Sequence, residues 1–456
     1  MVIRRRIKLA LQALNGARTG DGLRERAMRA SVWAVGGNLA SVSIRLGSNL
    51  LLTRLLFPEA FGTMAIVQAV MIGLAMLTDA GIEPAVIKSR RGHESIFLNT
   101  AWTLQVMQGV LVWLVVCGIS PVVASFYAQP ILADLLPVVG VSAILGGLTS
   151  TKFFSAARTL SIKVRVFIEV GSYAFGVSVI ILLAWIDGTI WSLVWGGLAG
   201  SLLKVLASHL LQDGCKNKFV WDWPSVKELF GFGQWVMLSS ALTFVAGEGS
   251  KLILGAFLGV KLLAMFTLAS IMSLVFWQIA QQLSSRVFFP AYSEVARERP
   301  ERLRAVAVRS RLFLIVPGWL IALFFVLWGD HFMWFLYDQR YAESGAILQL
   351  LAMGTLVGVV NSSYNGLLWA RGLVNVSTVL LVVQVILQVV GMSVGNHYLG
   401  AKGAILGLAL SGWLLYPVQA YAHWRIGLWM PKIDLPFLIL SSAVVGVMFS
   451  EILNNV

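Results

Sequence analysis

The residues of this chain with the most chemical potential are ionisable side chains set inside apolar stretches. Arg45 lies near the middle of NLASVSIRLGSNLLL, and Asn38, Ser41 and Asn49 are spaced to share roughly its face of a helix. Glu248 and Lys251 lie in AGEGSKLIL, where Gly247 and Gly249 let a helix bend or unwind. A charge held at mid-membrane costs at least about 2.5 kcal/mol, so something must repay it. One repayment is an ionic substrate in a cavity between helices. The other is a closed structural bridge, with Glu248 and Lys251 neutralising each other and Arg45 snorkelling or pairing with Glu248. Further polar candidates are Asp79 and Glu83 at one end of a span, Lys204, Gln278, Gln281, Gln282, Asn361, Asn365, Gln384 and Gln388. For any single amide the competing role is an interhelical hydrogen bond.

Other chemistries leave no trace in the sequence. It has no phosphate-binding P-loop, no nucleophile elbow, no paired-carboxylate glycosyl-transfer motif and no His/Cys cluster with metal-ligand spacing. The five histidines, His93, His209, His331, His397 and His423, stand singly near expected helix ends. An enzyme is not expected, and no cofactor is implied. Cys117 and Cys215 are expected on opposite sides of the membrane, so no disulfide is anticipated.

The elements that must position these charges are transmembrane helices. Hydrophobic residues make up 58% of the chain and charged ones 12%, a balance that puts most of the surface against lipid. About 20 apolar residues cross the hydrocarbon core as helix. Thirteen stretches meet that need: 30–52, 61–78, 98–120, 131–150, 166–186, 189–210, 230–258, 262–285, 311–328, 344–370, 373–395, 403–423 and, weakest, 435–452. The net charge of +14 is topogenic rather than a nucleic-acid footprint, because the cations cluster in the connections. Of the 35 Lys and Arg residues, Arg45, Lys204 and Lys251 fall within spans, and Arg54, Lys261, Arg340 and Lys402 fall in outside loops. All the others lie on the side of the N-terminus, which is therefore expected in the cytoplasm. Residues 3–17, with Arg4, Arg5, Arg6 and Lys8, read as an amphipathic helix on anionic lipid.

The two halves of the chain resemble each other weakly. Leu56 to Met64, LFPEAFGTM, follows the first span, and Leu258 to Phe266, LGVKLLAMF, follows the seventh. Each is a tight apolar hairpin with a small residue, Gly62 or Ala264, where the next helix begins. In that register Arg45 falls opposite Gly247, which sets Arg45 and Glu248 at similar depth in opposite halves. The expected organisation is an all-α polytopic membrane protein with a basic N-terminus at 1–29 and a first six-helix lobe at 30–211. A connector at 212–229, a second six-helix lobe at 230–424 and a C-terminal segment at 425–456 with a thirteenth span complete it. A central cavity is expected between the lobes.

Residues 51–90, LLTRLLFPEAFGTMAIVQAVMIGLAMLTDAGIEPAVIKSR, resemble the opening of the polysaccharide transporter family of bacterial oligosaccharide flippases. The matching features are a leucine-rich turn, Glu59, Phe61 and Gly62, then Asp79 and Gly81. VFFPAYSEVARERPERLR at 287–304, with Phe289, Pro290 and Ala291 at its core, resembles the segment after that family's eighth span. The resemblance extends over about residues 28–424. It implies the multidrug, oligosaccharidyl-lipid and polysaccharide exporter superfamily, and an undecaprenyl-pyrophosphate-linked oligosaccharide moved between leaflets of the bacterial inner membrane. It also implies Arg45 and Lys251 as cationic partners of a pyrophosphate, amides for the sugars, and Glu248 or Asp79 as a coupling site. A polysaccharide polymerase or export machinery would be a further partner. An ion-coupled drug antiporter of the same superfamily would need acidic cavity residues, and a membrane-bound polymerase would need large outside loops.

Overall fold

The computed structural model describes residues 23–78, 81–159, 161–211, 214–284, 288, 292, 295, 300–371 and 373–454. Among them the chain is all-α, with no β-strand. The expected amphipathic helix at 3–17, Asp79 and the Phe289–Pro290–Ala291 core lie outside the described residues, as do the side chains of Gln278, Gln281 and Gln282.

The helices are α1 (Leu23–Leu55), α2 (Pro58–Leu77), α3 (Ile82–Lys88), α4 (Ser95–Phe126), α5 (Leu132–Leu148), α6 (Lys152–Arg158), α7 (Lys163–Asp187) and α8 (Trp191–Leu210). They continue as α9 (Trp223–Gly247), α10 (Gly249–Leu283), α11 (Leu303–Leu336), α12 (Glu343–Ser362), α13 (Asn365–Ala370), α14 (Val374–Arg425) and α15 (Pro431–Asn454). Nine helical stretches among the described residues are long and apolar enough to cross a membrane, or ten if α5 and α6, bent by 56° at their junction, count as one broken span. That is fewer than the thirteen stretches of the sequence, and three features account for the difference. α1, whose apolar run is interrupted by Asn38, Arg45 and Asn49, is not among the nine. The stretch at 243–275 runs across the α9–α10 junction and the break at Gly259, joining parts of two expected spans, and 375–425 does the same at Gly400. At these two breaks φ is 69° and 61°, a left-handed conformation that glycine adopts without a Cβ penalty, so the chain turns where an ordinary side chain would be strained.

The chain divides into two compact units, one made of Met1–Leu56 and Val70–Ala241, the other of Phe57–Ala69 and Leu242–Val456. In unit 1, α4 packs on α5, α7 on α8, α1 on α7 and α5 on α8. These faces are lined by glycines: a Cβ at Gly109 or Gly147 would crowd the facing backbone of α5 or α4, and one at Gly176 or Gly196 the facing backbone of α8 or α7. Lipid is as apolar as a side chain, so close backbone approach and polar contacts hold such helices together better than hydrophobic burial does. In unit 2, α12 is central, touching α10, α11, α14 and α15. In the most apolar part of 343–368, 61% of the residues are buried, against 11% in that of 375–425, so α12 is the inner helix. The first hairpin also belongs here: Gly62 lies so close to Val260 that an added Cβ would overlap its carbonyl, and Phe61 meets Tyr341 edge to face. This close approach gives the Phe61–Gly62 pair a physical reason, since any larger residue at 62 would push the hairpin off the 259–261 turn.

Candidate functional site

Arg45 lies on the continuous helix α1, partly exposed, with Asn38 and Asn49, also partly exposed, on the same face. Within that helix the small hydroxyls are turned back on the backbone: Ser41 donates to Gly37 O at 3.0 Å and Ser48 to Arg45 O at 3.0 Å. Across the α1–α7 contact, the Arg45 charge is close enough to act on Tyr173. Lys204 is on α8, partly exposed.

In unit 2 the sequence AGEGSKLIL is the junction of α9 and α10. Gly247 ends one helix and Gly249 opens the next, with Glu248 between them. Hydrogen bonding bridges the junction, from Glu248 N to Phe244 O at 2.9 Å and from Lys251 N to Glu248 O at 3.0 Å. Lys251 Nζ reaches Glu248 Oε2 at 2.7 Å, and the two side chains are 25% and 29% exposed. The pair neutralises itself yet is open to its surroundings, a combination that leaves both charges available for exchange with an ionic partner. Asn361 is different. It is buried, its side-chain amide nitrogen donates to Gly412 O at 3.0 Å, and its backbone carbonyl accepts from Gln419 Nε2 at 2.7 Å, so it ties α12 to α14. Asn365 opens α13, partly exposed.

Two polar assemblies were not legible beforehand. In unit 1 the connections 81–97, 149–165 and 214–229 form one layer. Arg158 of α6 donates to the carbonyls of Val86, at 3.1 Å, Ile87, at 3.4 Å, and Ser89. Arg165 meets Glu83 at 2.5 Å and Glu169 at 3.0 Å. Arg91 meets Glu94 at 3.0 Å and Asp222 at 3.4 Å. The connector is pinned by Asn217, bonded to Ser150 and Thr151, and by Val220, which exchanges hydrogen bonds with Thr103 of α4. Asp222 is held below its ordinary carboxylate value, first by the Ser225 hydroxyl. Arg91 is raised, first by Glu94.

In unit 2, Arg311 and Asp434 form an ion pair at 2.6 Å with neither side chain exposed. Counting charges by connection had read Arg311 as topogenic and gave Asp434 no role. The available signal was that each is a charge at the edge of an apolar run, of opposite sign to the other. Among the described residues no group of three or more His, Cys, Asp or Glu side chains could hold a metal.

Comparison with known proteins now bears on this architecture. Residues 51–346 match the family described as "Polysaccharide biosynthesis protein". The chain is 23% identical over 442 residues to the lipopolysaccharide biosynthesis protein WzxC of Escherichia coli (strain K12), covering 92% of this chain and 88% of that one. Its fold is similar to that of the lipid II flippase MurJ in an inward closed conformation, with TM-score 0.69, 12% identity and 93% of each chain covered. It is also similar to an inward-facing multidrug resistance MATE family transporter of the MOP superfamily, with TM-score 0.68 and 13% identity, over 89% of this chain and 96% of that one. With nearly two thirds of its length inside the family match, the chain belongs to the polysaccharide biosynthesis protein family, and its fold is one shared with flippases and exporters.

Proposed function

We propose that the protein is a flippase that carries an undecaprenyl-pyrophosphate-linked oligosaccharide from the cytoplasmic to the periplasmic leaflet of the bacterial inner membrane, for exopolysaccharide, capsule or O-antigen synthesis. The observation that carries this reading is the retention of partly exposed charges on membrane helices, Arg45 on α1 and Glu248–Lys251 at the α9–α10 junction, in a chain of this family. The guanidinium of Arg45 offers two parallel donors to a phosphate, and Lys251 offers a point charge. A pair as exposed as Glu248–Lys251 is worth at most about 1 kcal/mol, so a pyrophosphate competes for Lys251 without a large penalty. Asn38, Asn49 and Asn365 supply hydrogen bonds to sugar hydroxyls, and Lys204 adds positive charge. Once Lys251 is engaged, Glu248 is released to bind a proton or cation, which makes it the coupling candidate beside Asp79. Transport proceeds by alternating access of the lobes at 30–211 and 230–424, with the N-terminus cytoplasmic and its basic residues on anionic lipid. A polymerase or export assembly takes the product. The protein performs no covalent chemistry in this scheme.

The fold likeness to a MATE transporter supports a second reading, ion-coupled export of a small molecule. One assay separates the two. Proteoliposomes receive either a fluorescent polyprenyl-pyrophosphate oligosaccharide or a cationic dye with an imposed ion gradient. Movement of the lipid-linked sugar between leaflets and none of the dye is expected; gradient-driven dye movement with a static lipid contradicts the flippase reading.

A further inference from the structure

The C-terminal helix α15 is joined to unit 2 through polar groups that are shut away completely. Asp434, in its first turn, meets Arg311 of α11 at 2.6 Å, with both side chains 0% exposed. Arg311 Nε donates to Ser363 Oγ at 2.9 Å, and its guanidinium carbon lies 3.5 Å from the centre of the Tyr364 ring. The other carboxylate oxygen of Asp434 accepts from the hydroxyls of Tyr364, at 2.7 Å, and Tyr416, at 3.3 Å. Tyr364 OH in turn accepts from Met430 N at 3.1 Å. The His423 ring lies 3.9 Å from the same Tyr364 ring. Arg311 and His423 thus both pack against the Tyr364 ring.

Unit 1 treats the segment after its last long helix in the same way, with neutral groups. The stretch 214–222 folds back onto the turn between α5 and α6, where Asn217 binds Ser150 and Thr151, and onto Thr103 of α4. In unit 2 the stretch 428–434 folds back onto the turn between α12 and α13, at Ser363 and Tyr364, and onto Arg311 of α11. The preceding helices each carry a histidine near this turn, His209 bonded to Leu148 O and His423 set tilted against Tyr364.

Apolar contacts of α15 with unit 2, such as Phe437 against Trp319, gain little over contacts with lipid chains. Lipid chains cannot supply the counter-ion that the buried Arg311 takes from Asp434. We infer that α15 is an obligatory part of unit 2, fastened by the Arg311–Asp434 pair rather than by apolar packing, and that its task is to neutralise and seat Arg311 at the point where α11, α13, α14 and α15 converge. This inference is independent of the transported substrate.

The test uses the full chain with Arg311→Met, Asp434→Leu and the double variant, purified in detergent and melted. Each single change leaves an unpaired buried charge and is expected to lower the melting temperature by more than about 5 °C, or to abolish accumulation of folded protein. The double variant is expected to recover most of the loss, because neither charge is then left alone. Additive losses in the double variant, or harmless single changes, overturn the inference. A second measurement separates helix release from global unfolding. In a background with Cys117 and Cys215 replaced by serine, a cysteine in place of the buried Ile433 is expected to resist maleimide in membranes. Asp434→Asn should speed its labelling about tenfold or more while a cysteine in place of the buried Ala307 stays protected. Unchanged labelling at 433, or equal exposure at both positions, counts against the inference.

Discussion

The polar layers of the two units do the same mechanical job by opposite means. In unit 1, Arg91, Arg158 and Arg165 spread their charge over carbonyls and five acids, and the ion-paired side chains are between 22% and 42% exposed. In unit 2 one dry pair, Arg311–Asp434, stands at the centre, backed by Ser363, Tyr364 and Tyr416. Exposed pairs contribute little singly and can be remade, so the unit 1 layer is redundant and adjustable. A dry pair contributes little net stability when whole and costs much when halved, so the unit 2 knot is all or none. The difference separates a surface able to rearrange during transport from an anchor that holds one arrangement.

The comparison can be broken most sharply at the anchor. Arg311→Met alone should cost about 3–5 kcal/mol of stability, the largest single-residue effect expected in the chain, read as a melting shift in detergent. Arg311→Lys sharpens this: the charge remains, but the fork that binds Asp434 and Ser363 together is lost, so stability should fall between wild type and Arg311→Met. In unit 1 the strongest single change is Arg158→Ala, which strips a charged donor from the carbonyls of Val86, Ile87 and Ser89 and should cost about 1–3 kcal/mol. A result in which Arg158→Ala exceeds Arg311→Met would reverse the ranking of the two regions.

Smaller effects come from solvent conditions. Raising salt should weaken the unit 1 layer and leave the unit 2 knot unchanged, because screening acts on exposed charges. Accessibility of Cys215 in the connector to a thiol reagent is the measurement. pH should act on the same layer in a narrow window. Asp222 is depressed in the folded state, so its contribution is complete above the ordinary value of 3.8 and is lost as pH falls through the lower folded value. Cys215 accessibility should therefore carry no Asp222-dependent step between about pH 5 and 8, and Asp222→Asn should remove any step seen below that range. Arg91, raised first by its hydrogen bond to Glu94, stays charged throughout.

Much of the fold was legible because membrane helices write themselves in long apolar runs, and the expected stretches fall largely on helix as far as they are described. Gly259 and Gly400, where the chain turns inside otherwise continuous helical runs, fall in the gaps expected between 258 and 262 and between 395 and 403. Among candidate charges, the spacing of Glu248 and Lys251 anticipated their pairing, since i and i+3 on a helix are neighbours. Arg311 and Asp434 escaped notice because their partnership spans more than a hundred residues and each, read locally, is an ordinary charge at a helix end. Asn361 shows the other role that the sequence offers an amide in an apolar run, an interhelical hydrogen bond, here from its side-chain nitrogen on α12 to Gly412 O of α14.

The central claim is that the membrane cations divide into those that meet substrate and those that hold the fold. Leaflet-to-leaflet flux of a polyprenyl-pyrophosphate oligosaccharide in proteoliposomes, measured for Arg45→Ala and for the Arg311→Met/Asp434→Leu double variant at matched folded protein, tests it directly. The account predicts that Arg45→Ala melts like wild type and loses flux, while the double variant keeps it. Undiminished flux in Arg45→Ala, or no wild-type flux with any lipid-linked donor, would contradict it.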